Sequence, residues 1–206
     1  MKYIIGLLAM LLPILSAAQI QQKNIEPFYI GDRIPDLPLK GIINFKDSTA
    51  TLSSFGDKLL ILDFWNIHCT SCIQIFPLED SLQGMFPEDV QFILVTNDSR
   101  QKVEQFFQKY NAVQKKQLGL PVIIEDRLLS SLFRFRYIPH YVWIAPNGLI
   151  IAESSDYFIT KENIANTLKP IRAEEARLKG NKYADFNLHI QKPDKEFLQL
   201  ISSLND

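Results

Sequence analysis

Leu59-Leu60-Ile61-Leu62-Asp63-Phe64-Trp65 is apolar apart from one acid, which predicts a strand covered on both faces, and Val90 to Thr96 predicts a second buried strand. Between them Ile73, Phe76, Leu78, Leu82 and Phe86 recur near helical spacing over residues 70–86, with Pro77 expected to kink the helix. A second helix is expected over Gln101 to Tyr110, capped by Asn97-Asp98-Ser99, with Val103, Phe106, Phe107 and Tyr110 on its apolar face. Pro121 to Glu125 reads as a short strand and Leu128 to Phe135 as a short helix. Tyr141 to Ala145 and Leu149 to Glu153, joined by Pro146-Asn147-Gly148, read as a hairpin. Lys161 to Lys179 reads as a helix with Thr160 as N-cap, broken or kinked at Pro170. Strands that first alternate with helices and then form a hairpin predict an α/β fold, a mixed central sheet with helices on both faces.

The flanks read differently. The prolines of Gly31-Asp32-Arg33-Ile34-Pro35-Asp36-Leu37-Pro38 restrict that segment to a sheet edge. Ile42 to Phe45 and Ala50 to Leu52, separated by Lys46-Asp47-Ser48, predict a small N-terminal hairpin. Met1-Lys2-Tyr3, the apolar stretch Ile4 to Leu15 and Ser16-Ala17-Ala18-Gln19 form a secretory signal pattern. Residues 1–18 are expected to be removed and residues 19–179 to form the domain. An uncleaved membrane anchor is the alternative, although the run is shorter than the ~20 residues of a spanning helix and Pro13 interrupts it. A cleaved leader would leave no stable membrane insertion. Residues 180–206 form an extension with Tyr183, Phe186, Leu188 and Ile190, then Phe197, Leu198, Leu200, Ile201 and Leu204 as a terminal amphipathic helix. It is expected to pack on the domain rather than meet a partner.

At 206 residues, 47% hydrophobic and 22% charged, the chain can bury one substantial core, and a net charge of -1 argues against a nucleic-acid partner. Its only two cysteines stand in Cys69-Thr70-Ser71-Cys72, directly after the first buried strand. A helix starting there would direct free N–H groups and its positive dipole end at the first sulfur, favouring the thiolate that attacks disulfides. The second sulfur, one turn on, could resolve a mixed disulfide. Two other readings stay open. Structural zinc would need further ligands from His68, His140 and His189, which are not spaced for it, and a structural bridge across so short a loop would remove little unfolded-state entropy.

Asp63-Phe64-Trp65-Asn66-Ile67-His68-Cys69-Thr70-Ser71-Cys72 resembles the DFWAxWCxxC segment of thioredoxin-fold disulfide reductases. Gly31 to Asp36 and Thr51 to Phe55 resemble the GDxAPDF and LSDFKGK signatures of the TlpA and ResA-like thiol-disulfide oxidoreductases, within the AhpC/TSA-redoxin superfamily. Tyr137 to Gly148 resembles that branch's cis-proline loop and hairpin, and the helix and strand between Gln101 and Glu125 its central insertion. The resemblance implies a thioredoxin-like fold and an exported, periplasmic enzyme that reduces protein disulfides. Its partners would be protein thiol and disulfide substrates and a membrane electron donor, with no cofactor beyond the Cys69–Cys72 disulfide.

By the same resemblance Cys69 is the nucleophile, Cys72 the buried resolving thiol and Asp63 the buried acid that exchanges a proton with it. Pro139 is cis, with the Ile138 backbone, Trp65 and His68 at the substrate-binding surface. A dithiol oxidase or isomerase running the chemistry in reverse and a non-catalytic binding module are the alternatives. Several positions depart from the pattern. Thr70 and Ser71 lack the usual proline, His68 replaces a frequent tryptophan, and Ile75 stands where the branch often has glutamate, leaving Asp63 as the obvious acid. Asn66 stands three residues before Cys69, unlike the PxxxTxxC context of peroxiredoxins.

Overall fold

The computed structural model describes residues 26–181 and 188–202. The expected leader over residues 1–18 lies outside them, as do Tyr183, Phe186 and Leu204 of the extension. The described elements are β1 (Pro38–Lys40), β2 (Ile42–Ile43), β3 (Thr49–Thr51), β4 (Leu59–Phe64), α1 (Thr70–Met85), β5 (Val90–Val95), α2 (Arg100–Gln114) and β6 (Val122–Ile123). They continue with α3 (Leu128–Leu132), β7 (His140–Ile144), β8 (Ile150–Ser154), α4 (Lys161–Leu178) and α5 (Lys195–Ser202).

Six strands form a mixed sheet in the order β2-β6-β5-β4-β7-β8, with β4 parallel to β5 and antiparallel to β7. All six residues of β4 are buried, Asp63 included, as a strand covered on both faces requires. Alternate residues face opposite cores. Leu60, Leu62 and Phe64 meet α3, the N-terminal segment and Ile201 of α5, whereas Leu59, Ile61 and Trp65 meet α1, α2 and α4. The result is the expected sheet with helices on both faces.

The N-terminal hairpin forms with a different partner. Thr49–Thr51 pairs with Pro38–Lys40, while Ile42–Ile43 leaves it and joins the edge of the large sheet on β6. Left-handed backbone at Gly41 (φ 68°) turns the chain between β1 and β2. An added Cβ there would lie 2.9 Å from the Ile124 carbonyl oxygen. Asn44 (φ 56°) then ends β2 and donates its side-chain amide to the Leu118 and Leu120 carbonyls, so residues 42–45 cannot continue as a strand.

Neither internal proline breaks its helix. Helix α1 runs through Pro77 and α4 through Pro170; in α4, Ile164 and Leu168 before the proline and Leu178 after it are buried and hold the axis together. The extension packs on the domain: Ile201 is buried, Phe197 meets Phe28 at 6.2 Å between ring centroids, and the Asp36 N–H donates to the Gln191 carbonyl.

Candidate functional site

Cys69 and Cys72 are bonded to each other at the start of α1. Asn66 shapes the approach: its side-chain oxygen accepts the His68 N–H (2.9 Å), and its carbonyl accepts the Cys69 N–H (3.1 Å). Cys69 is the N-cap of the 16-residue helix, and its sulfur accepts the Cys72 N–H at 3.2 Å. The Ser71 hydroxyl is 3.5 Å from the same sulfur. Donors and helix dipole both favour negative charge there. Cys69 is partly exposed, whereas Cys72 is fully buried. Only the first sulfur can meet a large substrate.

The Ile138–Pro139 peptide is cis. His140 pairs with Phe64, so this loop lies at the sheet end from which the chain enters Trp65 and the Cys69 turn. Ile138 is partly buried, Pro139 buried and Tyr137 exposed. His68 is exposed beside the cysteines. Trp65, expected at the substrate surface, is instead 3% exposed. Its ring stands edge-on to Phe76 (5.0 Å) and packs on Phe106 and Phe107, because residue 65 continues the alternation of β4 toward the α1 side. It supports the cysteine turn from beneath.

Asp63 lies on that same inner face, directly opposite Tyr141 of β7, and both are fully buried. They are joined by Glu79 of α1, also fully buried. Among the described residues no group outside this trio hydrogen-bonds the two carboxyls or the Tyr141 hydroxyl, and within it the Glu79 side chain interacts with both Asp63 and Tyr141. Burial, then Glu79, then Asp156 push the Asp63 carboxyl well above the usual range. Burial likewise raises Glu79, with Tyr141 and Asp63 partly offsetting it. The Tyr141 phenol is raised by burial and by both acids.

Asp63 is therefore not the only acid here. Glu79 escapes a motif-based reading because it occupies neither a motif position nor the place where family glutamates are expected. Its signal is an acid inside the apolar stripe Cys72, Phe76, Glu79, Leu82, at spacings of four, three and three.

Asp98 was expected to help cap α2, but Ser99 is the N-cap and makes no side-chain capping bond. The Asp98 carboxylate instead accepts the Ile67 N–H (2.9 Å) and the Thr96 hydroxyl (3.2 Å), tying the turn before Cys69 to the end of β5. Asp98→Ala is expected to lower stability of the oxidised protein by about 1–2 kcal/mol, because a charge-assisted bond to a backbone donor is lost. Urea denaturation measures this, and an unchanged midpoint would show that the tie carries no energy.

The chain is similar to known proteins in sequence and in fold. The AhpC/TSA family model matches residues 30–153. The thiol-disulfide oxidoreductase ResA of Oceanobacillus iheyensis is 30% identical over 127 residues, 60% of this chain and 63% of that protein, so the chain spans less than two thirds of that relative. The thioredoxin domain of a thiol-disulfide oxidoreductase from Bacteroides vulgatus superposes with a TM-score of 0.52 at 19% identity, over 69% of this chain and 97% of the other. A Plasmodium vivax 2-Cys peroxiredoxin gives 0.53 at 18% identity, over 75% and 86%. These structures share the thioredoxin-like fold with this protein, and the family match over residues 30–153 establishes that the chain belongs to the AhpC/TSA family.

Proposed function

We propose that this protein is an exported thiol-disulfide oxidoreductase that reduces disulfides in other proteins. The observation that carries the reading is the asymmetry of the bonded pair: Cys69 partly exposed at a helix N-terminus, Cys72 buried one turn behind it. In the reduced enzyme the Cys69 thiolate attacks one substrate sulfur. The Cys69–substrate bond forms as the substrate disulfide breaks, and the electron pair leaves on the other substrate sulfur, which takes a proton from water. Cys72 passes its proton to Asp63 and attacks the Cys69 sulfur. The intramolecular disulfide closes, the mixed disulfide breaks, and the second substrate sulfur leaves as a thiolate that is then protonated. Two electrons have moved to the substrate.

The cis-Pro139 loop offers the Ile138 backbone to an extended substrate segment, and exposed His68 borders the same sulfur. Recharging requires an external dithiol, for which a membrane electron-donor protein is the fitting class, and the steps above require no bound cofactor. Export rests on the leader pattern over residues 1–18 and on the absence of any cysteine besides the pair. Among the described residues no helix is long and apolar enough to cross a membrane.

Two measurements test the proposal together. Cys72→Ala should accumulate mixed disulfides between Cys69 and exported proteins, visible as thiol-sensitive adducts. The potential of the Cys69–Cys72 couple should equilibrate well below that of glutathione, each ~30 mV being worth ~1.4 kcal/mol. A potential at the strongly oxidising end would reverse the direction of flux, and no adducts at all would overturn the enzymatic reading.

A further inference from the structure

We propose that Glu79 is a positioning residue for the resolving step, forming with Asp63 a buried carboxylic acid pair that shares one proton and exchanges it with Cys72. The inference rests on the oxidoreductase reading and extends it to a residue outside the cysteine motif. Cys72 and Glu79 are seven residues apart, so they lie on one face of α1 with their Cα atoms about 10 Å apart along its axis. Helical side chains lean toward the helix N-terminus, so the Glu79 carboxyl reaches back toward the cysteine end. Asp63 and Tyr141 are opposed across β4 and β7, and both side chains interact with that of Glu79. Both carboxyls are completely buried and act on each other side chain to side chain, and among the described residues neither a cation nor any hydrogen-bond partner outside the Asp63, Glu79 and Tyr141 group reaches them.

Two acids so placed cannot both ionise: each negative charge raises the cost of the other in a site that water does not reach. The state compatible with this burial is one proton held between them. The remaining charged or titratable groups around the pair reinforce it. Tyr141 is a phenol held neutral, Asp156 adds negative charge from the turn after β8, and Tyr110 of α2 interacts with Glu79. Neighbouring Asp80 is paired with Lys116. When the Cys72 thiol gives up its proton to attack Cys69, the singly protonated pair becomes doubly protonated and neutral. The excess proton then passes to solvent, restoring the singly protonated pair in the oxidised protein, and when the Cys69–Cys72 bond is reduced the Cys72 thiolate takes up a proton from solvent through the pair, so the balance closes. A lone Asp63 would do this at lower pH, because it would lack the second charge that holds its proton.

The test separates the two cysteines kinetically. Reduced protein mixed with dithiobis(nitrobenzoate) releases one thionitrobenzoate when Cys69 attacks and a second when Cys72 resolves the adduct. The second phase should rise with pH through the titration of the acid pair. In Glu79→Gln its midpoint is expected to fall by about one pH unit or more, a roughly tenfold change in proton affinity, while the midpoint of the first phase stays in place. A second-phase midpoint equal to that of the wild type, or equal movement of both phases, would overturn the proposal. Absence of a second phase in the wild type would instead sink the oxidoreductase reading. The wild-type protein supplies a measurement that needs no folded variant: infrared spectroscopy should detect a protonated-carboxyl C=O stretch at neutral pH, and its absence would also overturn the shared proton.

Discussion

Cys69→Ser is expected to lower protein-disulfide reduction by at least about a thousandfold while leaving the fold intact. A serine hydroxyl cannot form the mixed disulfide, and Cys72 cannot substitute because it is fully buried. The change is nearly isosteric at a partly exposed cap, and a hydroxyl is itself a good N-cap acceptor for the N–H that Cys72 donates. Losing so short a disulfide loop costs roughly 2 kcal/mol through the unfolded state, less than most domains possess. The comparison is made against the reduced wild-type protein, with insulin reduction as readout and circular dichroism for the fold. Retention of more than about a tenth of the rate would mean that the accessible sulfur is not the nucleophile, and full retention of biological activity would favour a binding module over an enzyme. Cys72→Ser should behave differently, performing the first attack once and then stalling.

That the first sulfur attacks and the second resolves is legible from the residues, because it follows from a buried strand, a turn and a helix that starts at the first sulfur, whereas the burial of Cys72 is legible only through resemblance. The cis-Pro139 loop was legible only through resemblance, since an ordinary trans bond is the default for Ile-Pro. What periodicity missed was decided by tertiary partners. Ile42–Ile43 carries the pattern of a local hairpin but is captured by β6, because Gly41 and Asn44 redirect the chain. Trp65 and Glu79 show two limits of motif reading. Trp65 belongs to the motif but is turned inward by strand alternation, and Glu79 belongs to no motif but occupies a core position of α1. Asp98 looked like a capping residue, yet its carboxylate has a long-range partner at Ile67 that local sequence does not encode.

Replacing Glu79 with leucine is expected to stabilise the protein at neutral pH, by roughly 1–4 kcal/mol, and to have little effect near pH 4. The sign follows from the raised values of Asp63 and Glu79 in the folded state. Below the unfolded carboxyl range, about pH 4, both states hold their protons and the acids cost little. As pH rises above it, the unfolded chain ionises while the folded pair retains its shared proton. Unfolding then releases protons, and stability falls by up to about 1.4 kcal/mol per pH unit for each proton held back. The loss continues until the folded acids themselves titrate. Glu79→Leu dissolves the pair, so the folded protein no longer holds back the shared proton as pH rises to neutrality, and supplies apolar volume within the stripe formed by Phe76 and Leu82. Urea denaturation at pH 4 and pH 7 measures the two differences, and a gain of equal size at both pH values would show that packing, not ionisation, is responsible. The same variant should resolve the Cys69 adduct with an altered pH dependence. Stability gained at neutral pH together with a displaced resolving step would identify Glu79 as a residue whose buried charge destabilises the fold while serving proton transfer, whereas a purely structural residue would lose stability on replacement and leave that pH profile in place.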